Sequence, residues 1–352
     1  MISLRWGWFL AGLIMFLAGC AGGPRVAPGG EGAGGVLTLT GAGATFPYPL
    51  YSKWFAEYAK KYPQVRINYQ SIGSGGGIQQ LKAGTVDFGA SDAPLSEEEM
   101  RQMPAPVIHI PTVAGAVAVA YNLPELKQPL RLSGEALAGI YLGEITRWND
   151  PKLTALNPGA NLPGLPIAVV HRSDGSGTTY IFTHYLAAVS KRWAGRAGAG
   201  KAVDWPAGIG GKGNEGVTGV VKQTPGAIGY LELAYAVQNR LAYAQLRNQA
   251  GRFKAPDINT TTAAATGAVA QMQQDIRVSI VNAPGQDAYP IAGFTYLLVY
   301  QQQRDKAKGM ALAQFLDWAI HAGQQFAAPL YYAPLPAEVV TLNEAALKAV
   351  KY

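Results

Sequence analysis

A chain of 352 residues, 49% hydrophobic and 14% charged, has room for two lobes and the composition of a globular body with a large core. Its formal charge of +7 comes from dispersed Lys and Arg, with no basic run and no basic stripe interleaved with aromatics, which excludes a nucleic-acid footprint and leaves a small anion compatible. No fixed-period repeat marks a solenoid, and the single cysteine, Cys20, excludes an internal disulfide.

Residues 1–19 read as a signal peptide, with Arg5 as the positive region and an apolar stretch from Trp6 to Leu17. That stretch is too short for a spanning helix, which needs ~20 residues. Leu17-Ala18-Gly19-Cys20 resembles the lipobox of bacterial lipoproteins, in which the cysteine sulfur is acylated and becomes the first mature residue. The bland alternative is an ordinary signal peptide with an incidental thiol. The position of the chain's one cysteine at the cleavage junction argues against it. Residues 20–35 are therefore expected to be lipidated Cys20 and a flexible Gly/Pro-rich tether, AGGPRVAPGGEGAGG, through which the chain meets a membrane. No later segment offers ~18 uninterrupted apolar residues.

The body opens with Val36–Thr40, alternating as a strand and running into the glycine loop GAGAT. A helix follows, with Pro47 near its first turn and Trp54, Phe55 and Tyr58 at helical spacing. Val65–Gln70 reads as a second strand, Ser74 opens a helix through about Ala83, and Val86–Ala90 reads as a third strand ending at Ser91-Asp92. Ser96-Glu97-Glu98-Glu99 is a capping-box signature. Val107–Tyr121 is a β-rich apolar run able to pass from one lobe to the next. Then come a helix near Ser133–Tyr141, a strand at Ile167–Val170, the loop HRSDGSGT, and a helix with Ile181, Phe182, Tyr185, Leu186 and Val189 on one face. Ala292–Tyr300 is a late apolar strand, followed by a helix carrying Phe315, Leu316, Trp318 and Ala319; both are candidates to return to the first lobe. Strand, glycine loop, helix, strand is the rhythm of an open α/β sheet, whose ligands sit outside the carboxyl ends of the strands.

Three loops set a hydroxyl residue beside glycine at a helix entrance: Gly41-Ala42-Gly43-Ala44-Thr45-Phe46, Gly73-Ser74-Gly75-Gly76-Gly77 and Asp174-Gly175-Ser176-Gly177-Thr178. A helix start leaves backbone N–H groups unpaired and carries about half a positive charge. Any one such loop is most simply a cap. Three of them, with Arg172 beside one, suit a tetrahedral oxyanion. Arg172 is the candidate charged clamp, because its planar fork can bond two oxygens together. Its alternative is a surface arginine capped by Asp174, and both hold if Asp174 orients it.

Asp92 is the oddity. A carboxylate in an anion site repels its ligand unless the ligand brings a proton. Phosphate near neutral pH keeps one to donate and sulfate has none, so Asp92 would leave a buried acceptor unpaired against sulfate. The alternative is an N-cap at a strand end.

The segments LTGAGATFPYPLYSKWF, NYQSIGSGGGIQQL, VDFGASDAPLS, HRSDGSGTTYIFTHYL, GIGGKGNEGV and PGAIGYLE run in order over nearly the whole chain after the tether. Together they resemble the substrate-binding proteins of bacterial phosphate-specific ABC transporters. The resemblance implies a periplasmic-binding-protein-like α/β fold, two lobes joined by a hinge with the ligand in the cleft. On this chain residues 36–121 with 290–352 would be lobe I and residues 122–289 lobe II. It also implies a monomer that binds inorganic phosphate outside the cytoplasmic membrane and delivers it to a membrane permease driven by an ATPase. By motif, Thr45 and Phe46 would supply backbone N–H groups, with the Thr45 hydroxyl also donating. Ser74 would donate likewise and Asp92 accept; Arg172, Ser176, Gly177 and Thr178 would come from lobe II, with Asp174 pairing Arg172. His171 departs from the more basic residue associated with that place, which bears on the field at the cleft rim. The lipobox departs from family members that are free in the periplasm.

An enzyme would need a nucleophile–base pair or metal ligands. His109, His171, His184 and His321 are dispersed, with no HExxH and no cysteine cluster, and Ser176 is outside a GxSxG elbow. Gly208-Ile209-Gly210-Gly211-Lys212-Gly213 fits GxGxxG, yet Trp205-Pro206 before it argues against the required strand, and Gly213 after Lys212 breaks the P-loop pattern. Catalytic residues, a metal and a cofactor are not expected. The alternatives are another tetrahedral oxyanion, which Asp92 discriminates, then a phosphatase or a surface scaffold.

Overall fold

The apolar runs become strands of one nine-stranded mixed sheet in this computed structural model, which describes residues 35–352. The signal peptide, Cys20 and all but the last residue of the tether lie outside the described residues. The strands are β1 (Leu37–Gly43), β2 (Val65–Ser71), β3 (Phe88–Ser91), β4 (Val107–Tyr121), β5 (Arg131–Leu132) and β6 (Ala168–Arg172). They continue with β7 (Ile209–Gly211), β8 (Ala227–Glu232), β9 (Ala242–Tyr243), β10 (Gln245–Arg247), β11 (Phe253–Lys254) and β12 (Ala292–Tyr300). The order across the main sheet is β2-β1-β3-β12-β4-β8-β6-β7 with β9 against β4, while β5, β10 and β11 form a small sheet of their own.

Pairing is parallel within β2-β1-β3 and within β8-β6-β7, and antiparallel where β12 and β4 join the two groups. Parallel strands are covered on both faces by their crossover helices, which is why β8 is buried along its whole length; β12, antiparallel to both neighbours, is buried as a central strand of the sheet. β4 serves both groups: Val107–Ala116 runs beside β12 and Val117–Tyr121 beside β8. The expected passage between halves is thus one continuous strand. β12 inserts between β3 and β4, and the helix Lys306–Ile320 after it packs Phe315 and Trp318 against Tyr58 of helix Tyr48–Lys61. The late strand and helix thus lie against the first group of strands.

β1 runs three residues past Thr40, because its glycines extend the ladder instead of forming a loop. Gly43, at φ +145, brings its Cα against the Ala90 carbonyl, where a Cβ would collide. The Ser96 capping box forms in both directions, Ser96 Oγ accepting from Glu99 N–H and the Glu99 carboxylate from Ser96 N–H. A β-bulge leaves Thr112 of β4 unpaired beside Thr295 of β12. Among the described residues no helix is long and apolar enough to cross a membrane.

Candidate functional site

Strand direction assembles the site. In each parallel group the C-terminal ends share one edge, and the loops leaving those edges meet at a seam. Thr45 and Phe46 follow β1, Ser74 follows β2, Asp92 follows β3, Arg172 ends β6, Asn214 follows β7 and Glu232 ends β8. All of these, with Ser176 and Thr178, are at most 3% exposed. The seam is crossed by direct bonds: Gly75 N–H donates to the Gly175 carbonyl at 2.8 Å and Gly177 N–H to Ser74 Oγ at 3.0 Å. Gly177 permits this approach, since a Cβ there would lie 2.5 Å from both Cβ and Oδ2 of Asp92.

Three hydroxyls in this cluster share one electronic situation. Ser74 Oγ accepts from Asp92 N–H at 3.2 Å and from Gly177 N–H at 3.0 Å. Thr45 Oγ1 accepts from Asn214 N–H at 3.1 Å and Asn214 Nδ2 at 2.7 Å. Thr178 Oγ1 accepts from Arg172 Nη1 at 3.2 Å and Asn214 Nδ2 at 3.1 Å. A hydroxyl has two lone pairs and one hydrogen, so with both lone pairs filled only the hydrogen remains to interact. Each of the three is a donor by construction.

Arg172 is buried and not the surface arginine of the alternative reading. Its Nε and Nη2 grip Asp174 Oδ1 and Oδ2 at 2.8 and 2.6 Å, which leaves one N–H on each terminal nitrogen after the Thr178 bond. Burial would raise the Asp174 carboxyl. The Arg172 bonds and charge, with the Gly213 N–H, outweigh it and hold the group below the usual carboxylate range. Asp92 is the opposite case. Burial pushes it up to about 7, against the lowering by the Thr295 hydroxyl on Oδ1 at 2.8 Å and by the Arg172 charge. It caps no helix, since the next one starts at Glu97 behind Ser96.

The pattern of the PBP superfamily domain matches residues 28–322. Phosphate-binding protein PstS of Xylella fastidiosa strain 9a5c is 46% identical over 310 residues, 88% of this chain and 84% of that protein. The PstS protein of Haemophilus influenzae is 47% identical over 305 residues, 86% and 90% of the two chains. This chain belongs to the family of the PstS phosphate-binding proteins. Its fold also matches a high-affinity periplasmic phosphate-binding protein solved with phosphate bound, at TM-score 0.71 and 22% identity over 88% of this chain and 93% of that one. At that identity the likeness concerns the fold.

The structure brings Thr45, Ser74, Asp92, Arg172, Asp174, Gly177 and Thr178 into one cluster, while Ser176 and Phe46 beside them have further roles and the histidines lie apart. Ser176 Oγ accepts from Thr179 N–H and caps helix Gly177–Val189, so the plain cap reading holds there. It fails at Ser74, whose helix has no side-chain cap, and at Thr45, which precedes the Pro47 start. Phe46 is core: its ring meets Tyr332 edge-on and its carbonyl accepts from the Tyr332 hydroxyl at 2.6 Å. His171 stacks on Trp205 with ring centres 4.8 Å apart. His109 is buried, its pKa lowered to about 4 by burial, and its Nε2 accepts from Leu95 N–H.

Sequence reasoning missed Asn214, Thr295 and Glu232. Asn214 directly follows Gly208–Gly213, set aside as a false nucleotide motif, within the GIGGKGNEGV segment that carries the resemblance; this segment forms the short strand β7 and opens helix Gly213–Gln223. Glu232 is fully buried and its carboxyl is pushed well above the ordinary range by burial. Its Oε2 accepts from Ala234 N–H at 2.8 Å and lies 3.0 Å from the Tyr332 hydroxyl, whose one hydrogen goes to the nearer Phe46 carbonyl. A Glu two residues before a backbone N–H it caps was the available signal.

Proposed function

We propose that this chain binds inorganic phosphate in the seam between its two halves, outside the cytoplasmic membrane, and delivers it to an ABC-type importer. The observation that carries this reading is the set of three hydroxyls, Thr45, Ser74 and Thr178, whose lone pairs are all filled by N–H groups. Such a set rewards a ligand rich in acceptor oxygens. Arg172 adds the charge, the Phe46 backbone N–H and the remaining Ser176 hydroxyl hydrogen complete the shell, and Gly177, whose N–H goes to Ser74 Oγ, lets the loops close around the ligand, with Asp174 holding Arg172 in place. Asp92 supplies the one acceptor, suited to an anion that keeps a proton. The names of the relatives, all phosphate-binding proteins, support the same ligand.

Binding proceeds by hinge closure. Residues 36–121 with 290–352 and residues 122–289 act as lobes, turning about the strands they share, so that phosphate first meets one set of donors and then both. Cys20, lipidated, tethers the monomer near the permease and ATPase subunits that receive its ligand. The chain acts as a carrier and not an enzyme: the relatives are binding proteins, and buried His109 uses its Nε2 on a backbone N–H.

Titration calorimetry of the protein with phosphate, sulfate and a phosphate monoester tests this. Heat with phosphate alone is expected. Equal heat with sulfate makes the site a general oxyanion trap, and turnover of the ester makes the chain a phosphatase.

A further inference from the structure

Asn214 touches none of the groups assigned to the ligand except through hydroxyls, yet it is fully buried where the halves meet. Its Oδ1 accepts from Glu232 N–H at 2.8 Å. A backbone N–H can only donate, so this bond fixes which end of the amide is oxygen. The Nδ2 group must therefore face Thr45 Oγ1 and Thr178 Oγ1, at 2.7 and 3.1 Å, one hydrogen to each. Thr45 belongs to the first parallel group and Thr178 to the second. One amide thus sets the direction of a hydroxyl on each side of the seam, and its own backbone N–H adds a second bond to Thr45 at 3.1 Å.

We propose that Asn214 is the positioning residue that turns the Thr45 and Thr178 hydroxyl hydrogens toward the anion and couples that orientation to closure. The inference rests on the phosphate reading of the site. Asn214 fills a lone pair on each threonine, so neither hydroxyl can swing round to accept from the ligand. Because the two threonines come from opposite sides, the arrangement is complete only when the seam is shut. A carboxylate at this position would do the reverse, accepting both hydroxyl hydrogens and setting a negative charge beside the anion.

The experiment titrates inorganic phosphate into the full chain and into its Asn214→Asp and Asn214→Ala variants at about pH 8 and about pH 5. Asn214→Asp keeps the shape and is expected to bind at least ~100-fold more weakly than the parent at the higher pH. Protonation makes the aspartic acid an approximate isostere of Asn with one O–H donor, so its affinity relative to the parent recovers at least ~tenfold at the lower pH. Asn214→Ala removes the donor without reversing it, and loses about tenfold at both pH values, the equivalent of about 1.4 kcal/mol. Arg172, Asp174, Asp92, Lys212, Glu215 and Glu232 surround the position in every variant, so the ratio to the parent isolates residue 214.

A second arm remains should the aspartate variant not fold: a cycle of Asn214→Ala with Thr45→Val. If Asn214 works through the Thr45 hydroxyl, the double variant loses less affinity than the two single losses combined. Asn214→Asp binding like the parent at about pH 8 overturns the inference. So do equal losses in the Asp and Ala variants without pH recovery, or single losses that simply add. A parent that binds no phosphate removes the underlying reading and this one together.

Discussion

The Asp92 carboxyl holds a proton in the closed seam over a pH range where an exposed aspartate has lost it. An unfolded aspartate ionises near ~3.9, and burial moves Asp92 to about 7. Folded protein therefore binds a proton here that the unfolded chain releases. The stabilisation is full below about pH 4 and is lost as pH rises through about 7. Asp92→Asn should accordingly raise the melting temperature of the ligand-free protein above about pH 7, by ~2–4 °C for each ~1 kcal/mol recovered, and leave it nearly unchanged near pH 4. Above about pH 7, where Asp92 is ionised and can only accept, the same variant can donate to sulfate, so its preference for phosphate over sulfate should shrink by about tenfold or more, measured by competitive titration. Unchanged discrimination would remove the proton from the selectivity argument. Asp92 and Arg172 were legible in the sequence because charges are sparse and these two sit beside glycine loops. Asn214 was not, since its hydroxyl partners lie 169 and 36 residues away. Thr295, 203 residues from Asp92, is hidden for the same reason inside an apolar strand.

Helices and loops carry a separate test at Gly177, the first residue of helix Gly177–Val189. Gly177 is the first helical position, where the ~1 kcal/mol interior advantage of Ala is largely absent, so with the two loops apart Gly177→Ala should leave the melting temperature nearly unchanged. Its added Cβ, however, would sit 2.5 Å from Asp92 Cβ and 2.6 Å from Ser74 Oγ. The two loops then cannot reach the same distance, and phosphate affinity should fall by ~100-fold or more in calorimetry, an equivalent of about 2.7 kcal/mol. Binding would fall while stability held; if both fell together, the glycine would be serving the fold and not the closure. Strands and helices of this kind were readable where period and length agreed, as in β4, β12 and the capped helix after Ser96. Glycine misled in β1, where it continues a strand. It misled again near Ile209, where a three-residue strand with a half-exposed isoleucine has no period to detect.

The proposed closure of the two lobes involves the rim as well as the ligand shell. Lys201 Nζ reaches Glu99 Oε1 at 2.7 Å across the proposed lobe boundary, and the Lys201 carbonyl accepts from Ser176 N–H at 2.8 Å. One residue therefore ties the capping-box helix of the first half to the start of helix Gly177–Val189. Burial would raise the Glu99 carboxyl, but Lys201 and the Ser96 N–H together hold it below its ordinary value. A depressed carboxyl stabilises the pair above the unfolded pKa and loses that contribution as pH falls through the folded one. Nothing in the sequence links Lys201 to Glu99, which reads only as part of a capping box and lies 102 residues away. Since the pair is only partly buried, its worth is about 0.2–1 kcal/mol and is reduced by salt. Lys201→Ala should therefore weaken phosphate binding by only ~two- to fivefold, with the change in the release rate because the pair forms after the ligand is seated. Stopped-flow release of phosphate at low salt and at about 1 M salt measures this. Faster release at low salt that merges with the parent rate at high salt identifies a latch on the closed state. Equal acceleration at both salts assigns the effect to lost packing of the Lys201 side-chain stem and not to the ion pair.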